Sequence, residues 1–277
     1  MLALVLMALL AGMAFAQGQE ERPAGKRAAV GPGELFVPEA YRPDGDAIDL
    51  VVQLHGSVAW GERNVVRAGS RSVVLTVARP GLSSVYRDLF TPPTVFGELL
   101  DGALVALKDL GVAEAPRIER LTVASFSAGF GGVREVLKVD DYYDRIDALV
   151  MADTIYAGFT GDLAERRVDP ANMAGFLRFA RDAAAGKKAM VVTYSQVETP
   201  TYASTLETAR YLLEGVGLAL SPASEELAPG FRCTAKAERG GLRVYGFAGD
   251  QAADHMRHLF NTWRLLELSR DERPLPD

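Results

Sequence analysis

LTVASFSAGFGG, residues 121–132, decides how this chain is read. A run of β-prone residues, Leu121 to Ala124, leads into Ser125-Phe126-Ser127-Ala128-Gly129 and then a glycine pair. A strand that breaks into small residues before a helical pattern, GGVREVLKV (131–139), predicts a sharp strand-to-helix turn. Such a turn can present one serine for chemistry, because small neighbours two residues either side let the helix close up behind it. Ser127 has Ser125 and Gly129 in those places. A glycine-rich joint cradling a phosphate is the rival reading, but neither the phosphate-loop lysine nor the Gly-x-Gly-x-x-Gly pattern is present.

Outward from that stretch, apolar runs alternate with helical ones. The runs DLVVQL (49–54), LTVAS (121–125), ALVMA (148–152) and AMVVTY (189–194) are apolar almost throughout, as strands buried on both faces must be. Alternation of this kind predicts crossover connections, hence an α/β domain over 34–277 with a mostly parallel central sheet and helices on both faces. The longest non-strand piece, 156–186, is expected to be a small cap insertion. In such sheets ligands lie at the carboxyl ends of the strands. Those ends carry His55-Gly56-Ser57, the Ser127 turn, Asp153, the stretch Ser195 to Glu198, and Asp254-His255.

Composition narrows the function. With 277 residues and 48% hydrophobic content the chain can bury a substantial core. A net charge of −6 with scattered arginines argues against a nucleic-acid partner. The opening MLALVLMALLAGMAFA, residues 1–16, ends in the small-x-small pattern Ala14-Phe15-Ala16, so a cleaved signal peptide and a secreted or periplasmic location are expected, with no stable membrane insertion afterwards. The polar residues 17–33 read as a flexible linker. Cys233 stands alone in the sequence, which excludes an internal disulfide and a multi-cysteine metal site.

A serine hydroxyl needs a base to take its proton, an acid to orient that base and N–H donors for the developing oxyanion. The sequence holds 3 histidines, and those after the last strand are His255 and His258. His255 lies nearer the strand end, behind Asp254 as a helix cap, and His258 follows one turn later. Their His-x-x-His spacing also permits a metal site, though no further ligands cluster beside it. For the acid, Asp153 ends its strand directly, Glu198 lies a few residues past the next, and Asp250 and Asp162 are further alternatives. Oxyanion donors are expected at the N–H of Ala128 and of Ser57 or Val58. Trp60, Tyr86, Phe90, Tyr156 and Phe159 can line an acyl site or simply pack.

On these residues the chain resembles the α/β-hydrolase superfamily from about Leu35 to Leu268. The lead-in LFVPEAYRPDGDAIDLVVQLHG (35–56), the turn SFSAG (125–129), Asp153 and DHMRH (254–258) carry the likeness. VPEAYRP and the His-Gly loop look like those of secreted esterases and polymer depolymerases. The resemblance implies a serine hydrolase without cofactor, cleaving an ester or a related acyl bond (peptide, amide or thioester) of a small-molecule or polymer substrate through an acyl-serine intermediate. Ser127 would then be the nucleophile, His255 the base and Asp153 the acid, with Ala128 and Ser57 at the oxyanion hole. A non-catalytic binding protein on the same fold is the alternative.

Overall fold

The computed structural model describes residues 21–270. The expected signal peptide lies outside them. Two compact units divide between Leu149 and Val150. The architecture is α/β: a mostly parallel central sheet with flanking helices.

The first unit opens with an antiparallel hairpin, β1 (Gly25–Val30) and β2 (Gly33–Pro38), in which Val30 faces Gly33 across the Gly31-Pro32 turn. β1 therefore starts inside the stretch expected as a linker, and the folded chain begins well before Glu34. Then follow β3 (Ala47–Leu54), α1 (Val58–Arg67), β4 (Val73–Val77), α2 (Ser83–Phe90), α3 (Val95–Asp109), β5 (Arg117–Phe126), α4 (Phe130–Val136) and α5 (Asp140–Arg145). The strand order is β1-β2-β4-β3-β5, with β2 antiparallel to β4 and β3 parallel to both β4 and β5. Helix α3 forms because Phe96, Leu99, Leu100, Ala103, Ala106 and Leu107 recur at helical spacing and bury one stripe. Leu54 pairs in register with Ser125, so β3 and β5 deliver His55 and Ser127 to the same edge of the sheet.

The second unit begins in β6 (Ala148–Ala152) and continues with β7 (Phe159–Thr160), β8 (Arg167–Val168), α6 (Pro170–Ala184), β9 (Ala189–Tyr194), α7 (Thr205–Gly215), β10 (Ser221–Ala228), β11 (Phe231–Arg239), β12 (Leu242–Phe247), α8 (Ala252–Phe260) and α9 (Thr262–Leu268). Its strands run β6-β9-β12-β11-β10; β12 is parallel to β9, and β11 is antiparallel to β12 and β10. The expected cap is smaller than 156–186. Its first part is the β7–β8 hairpin. Its second part, α6, starts at an Asp169 cap with Pro170 behind it and buries Met173, Phe176, Phe179, Ala180 and Ala183 against β9, β11 and β12, as a sheet-flanking helix does. Among the described residues no helix is long and apolar enough to cross a membrane.

Candidate active site

In the first unit, β5 ends at Phe126 and Ser127 takes a φ of +46°, a left-handed backbone that non-glycine residues seldom hold. A 3-10 turn, Ser127–Gly129, then leads directly into α4. Glycine is required at 129: a side chain there would run into the Leu54 carbonyl and stand 2.6 Å from Ser125 Oγ. At 131 a side chain would strike the Ser83 carbonyl, because α2 packs directly against this turn. Ser125, the small residue two before Ser127, is fully buried with its hydroxyl turned toward Gly129.

The loop beside it is also strained. His55 has a φ of +66° and Gly56 one of +93°. His55 Nδ1 lies 3.0 Å from the Tyr86 hydroxyl. That hydroxyl donates to the Arg79 carbonyl (3.0 Å) and accepts from the Arg79 N–H (2.9 Å), so its single proton is spoken for. His55 Nδ1 must therefore carry the proton of its own contact. Burial pushes the Tyr86 phenol up to about 12, which keeps it protonated at neutral pH. No pattern along the chain announces this clamp, whose members come from two separate loops and α2. Ser57 caps α1, its Oγ accepting the Trp60 N–H at 3.2 Å. Tyr86 and Phe90, candidates for an acyl site, are buried packing residues.

In the second unit, Asp153 follows β6 with a φ of +46° and no solvent exposure. Its Oδ2 lies 2.7 Å from His255 Nδ1. Its Oδ1 accepts the Ser195 N–H at 2.9 Å and the Thr205 hydroxyl at 2.5 Å. The Asp153 N–H is shared between the carbonyl and the Oγ1 of Thr193, each at 3.1 Å. Burial alone raises the carboxyl; the nearby His258, the His255 hydrogen bond and the Thr205 hydroxyl outweigh it and hold the group below the usual carboxylate range. A carboxylate only accepts, so His255 carries its proton on Nδ1 and presents Nε2 as a proton acceptor.

The alternatives fall elsewhere. His258 is buried, with Nδ1 at 2.8 Å from Thr193 Oγ1 and the edges of Phe231 and Phe247 against its ring. Burial lowers it to about 4, so it is neutral at physiological pH. Glu198 and Asp250 are exposed, and Asp162 caps the short turn Leu163–Glu165. Asp254 closes a capping box with Gln251 at the start of α8 and so fixes the turn that carries His255. Among the described residues no group of three or more His, Cys, Asp or Glu side chains is arranged to hold a metal ion. Of the partners of Asp153, Ser195 stood only at the head of a strand-end stretch, and Thr193 and Thr205 went unseen in the sequence because they come from the end of β9 and the start of α7.

A mostly parallel central sheet with flanking helices is the architecture of the α/β-hydrolase fold. No protein-family model matches the chain, and no curated protein matches it. Solved structures similar to it include an arylesterase, with a TM-score of 0.48 and 11% identity over 95% of this chain and 91% of that one. An esterase of the bacterial hormone-sensitive lipase family gives 0.49 and 14% over 95% and 90%. The poly(3-hydroxybutyrate) depolymerase LpqC from Bordetella parapertussis gives 0.48 and 14% over 92% of each chain.

Proposed function

We propose that this chain is a serine hydrolase that cleaves an ester, with Ser127 as nucleophile, His255 as general base and Asp153 as the orienting acid. His255 Nε2 takes the proton of Ser127 Oγ as the oxygen attacks the substrate carbonyl. The tetrahedral oxyanion is stabilised by the N–H groups of Ala128 and Ser57. Its collapse expels the alcohol, which receives the proton from His255, and leaves an acyl-serine. Water, deprotonated by the same imidazole, then attacks that acyl group and releases the acid, returning the proton to Ser127. Asp153 stays ionised throughout and steadies the imidazolium.

The observation that carries this reading is the backbone of Ser127. A serine held at a φ of +46° stores strain, and strain of that kind in a non-glycine residue is kept where presentation of the side chain is the gain. The buried Asp153–His255 pair, at 2.7 Å, supports it by supplying a base with a fixed tautomer. An ester is the substrate class that the likeness of the 35–56 lead-in to secreted esterases and depolymerases implies, and we place the mature chain outside the cytoplasm, beginning after Ala16.

The test is covalent labelling by a fluorophosphonate together with hydrolysis of a p-nitrophenyl ester. Wild type should label, and Ser127→Ala should lose the label and about 10³-fold or more of the activity. His255→Gln and Asp153→Asn should fall steeply, whereas His258→Gln keeps its label. Folded wild-type protein that takes no label and hydrolyses no ester overturns the reading and favours the non-catalytic alternative on the same fold.

A further inference from the structure

We infer that Thr205, the first residue of α7, is a positioning residue that fixes the acid of this site through its hydroxyl. The inference rests on the proposed serine-hydrolase reading. A buried carboxylate with one oxygen on a histidine works only if its plane is held, and a plane is held by partners on the other oxygen. Asp153 Oδ1 has the Ser195 N–H at 2.9 Å and the Thr205 Oγ1 at 2.5 Å. The carboxylate only accepts, so the Thr205 hydroxyl donates. Both are charge-assisted bonds inside the protein, where they are stronger than neutral ones.

The place of Thr205 is itself determined. Ser204 caps α7: its Oγ accepts the Glu207 N–H at 3.3 Å, and Glu207 Oε2 accepts the Ser204 N–H at 2.8 Å. One turn along, Thr208 Oγ1 donates to the Ile155 carbonyl at 2.7 Å. Thr205 and Thr208 are both buried, so one helical face is tied to the 153–155 turn at two points. That turn contains the left-handed Asp153, a conformation that persists only where its surroundings hold it. The helix start thus does two separable things: Thr208 holds backbone, and Thr205 aims the carboxylate. Thr205 touches no substrate in this scheme, so its loss acts on the chemical step and leaves substrate binding alone.

The experiment compares wild type, Thr205→Val, Thr205→Ser and Thr208→Val for kcat and KM on a p-nitrophenyl ester. Rates are normalised to the fraction of molecules that a fluorophosphonate labels at saturation, so unfolded protein does not count. Thr205→Val, which keeps the shape and removes the donor, should lower kcat by between about 10- and 100-fold with KM unchanged, the size expected when a catalytic group is slightly misaimed. Thr205→Ser should restore most of kcat. Thr208→Val should lower the melting temperature with kcat per labelled site near wild type. Labelled Thr205→Val with wild-type kcat overturns the positioning role and leaves the serine-hydrolase reading standing. So does a Thr205→Ser variant no better than Thr205→Val. Wild-type protein that neither labels nor turns over overturns the reading first and this inference with it.

Discussion

His255 and His258 sit one helical turn apart and come to opposite ends. His255 meets an ionised carboxylate, whereas His258 meets a threonine hydroxyl and two aromatic edges. Around His258 the charged and titratable groups are Asp153, Asp254 and His255; the first two favour its cation, the third opposes it, and burial outweighs all of them. Its folded value, about 4, lies below the ordinary 6.5, so the unfolded chain binds the extra proton between those limits. The contribution of neutral His258 is therefore complete above about pH 6.5 and is lost as the pH falls toward about 4, a swing on the order of 3 kcal/mol. Urea unfolding from pH 7 to 4.5 should show a shallower loss of stability in His258→Gln than in wild type. Equal slopes would mean that another group drives acid unfolding. The sequence ranked these histidines by distance from a strand end, which is a rule about backbone. What separates them physically is the company of Thr193, Phe231 and Phe247, drawn from β9, β11 and β12, and no spacing along α8 reveals it.

Among the elements, β6, β9 and the C-terminal parts of β3 and β5 were legible because burial on both faces leaves a nearly unbroken apolar run. β10 and β11 lack such a run: SPASEELA is the sheet's last strand and faces largely outward, with register shifts along its pairing, and FRCTAKAER alternates apolar and polar residues from Phe231 to Glu238, as a strand with one buried face does. The 156–186 segment was legible in part. Its helix shows a stripe at helical spacing, but a stripe does not say whether it covers a sheet or a substrate. What remains of the cap is the β7–β8 hairpin, latched by Arg166, whose guanidinium meets both Glu207 oxygens at 2.7 Å, bonds the Thr199 carbonyl at 3.1 Å and covers Phe159. Arg166 and Glu207 keep 39% and 22% side-chain exposure, so the pair adds less than about 1 kcal/mol to global stability. Its effect is local. Arg166 has a φ of +47°, so Arg166→Gly removes the latch without straining the backbone. Hydrogen exchange across 157–169 should accelerate in that variant while the melting temperature barely moves; unchanged exchange would show that the hairpin holds itself.

At the scale of the whole chain, the reading of 17–33 as linker failed, over its described residues 21–33, for a definite physical reason. Two of its charges, Arg22 and Arg27, share a buried partner. Glu62 on α1 has no exposure, and Arg22 and Arg27 converge on it: Arg22 Nε at 2.9 Å, Arg27 Nε at 2.8 Å and Arg27 Nη2 at 2.9 Å. Burial raises the Glu62 carboxyl, and the two guanidinium groups bring it below its ordinary value. Removing the cations would strand a buried charge, which costs about 3–5 kcal/mol, whereas replacing the charge along with them costs much less. A chain beginning at Gly31 should therefore melt well below one beginning at Gln17. A linker would leave the two alike. Removal of β1 also uncovers the β2 edge, so the two losses need separating. Glu62→Leu in the shortened chain does this: the variant should recover a large part of the lost stability if the stranded carboxylate is the cause, and none of it if the missing hairpin strand is.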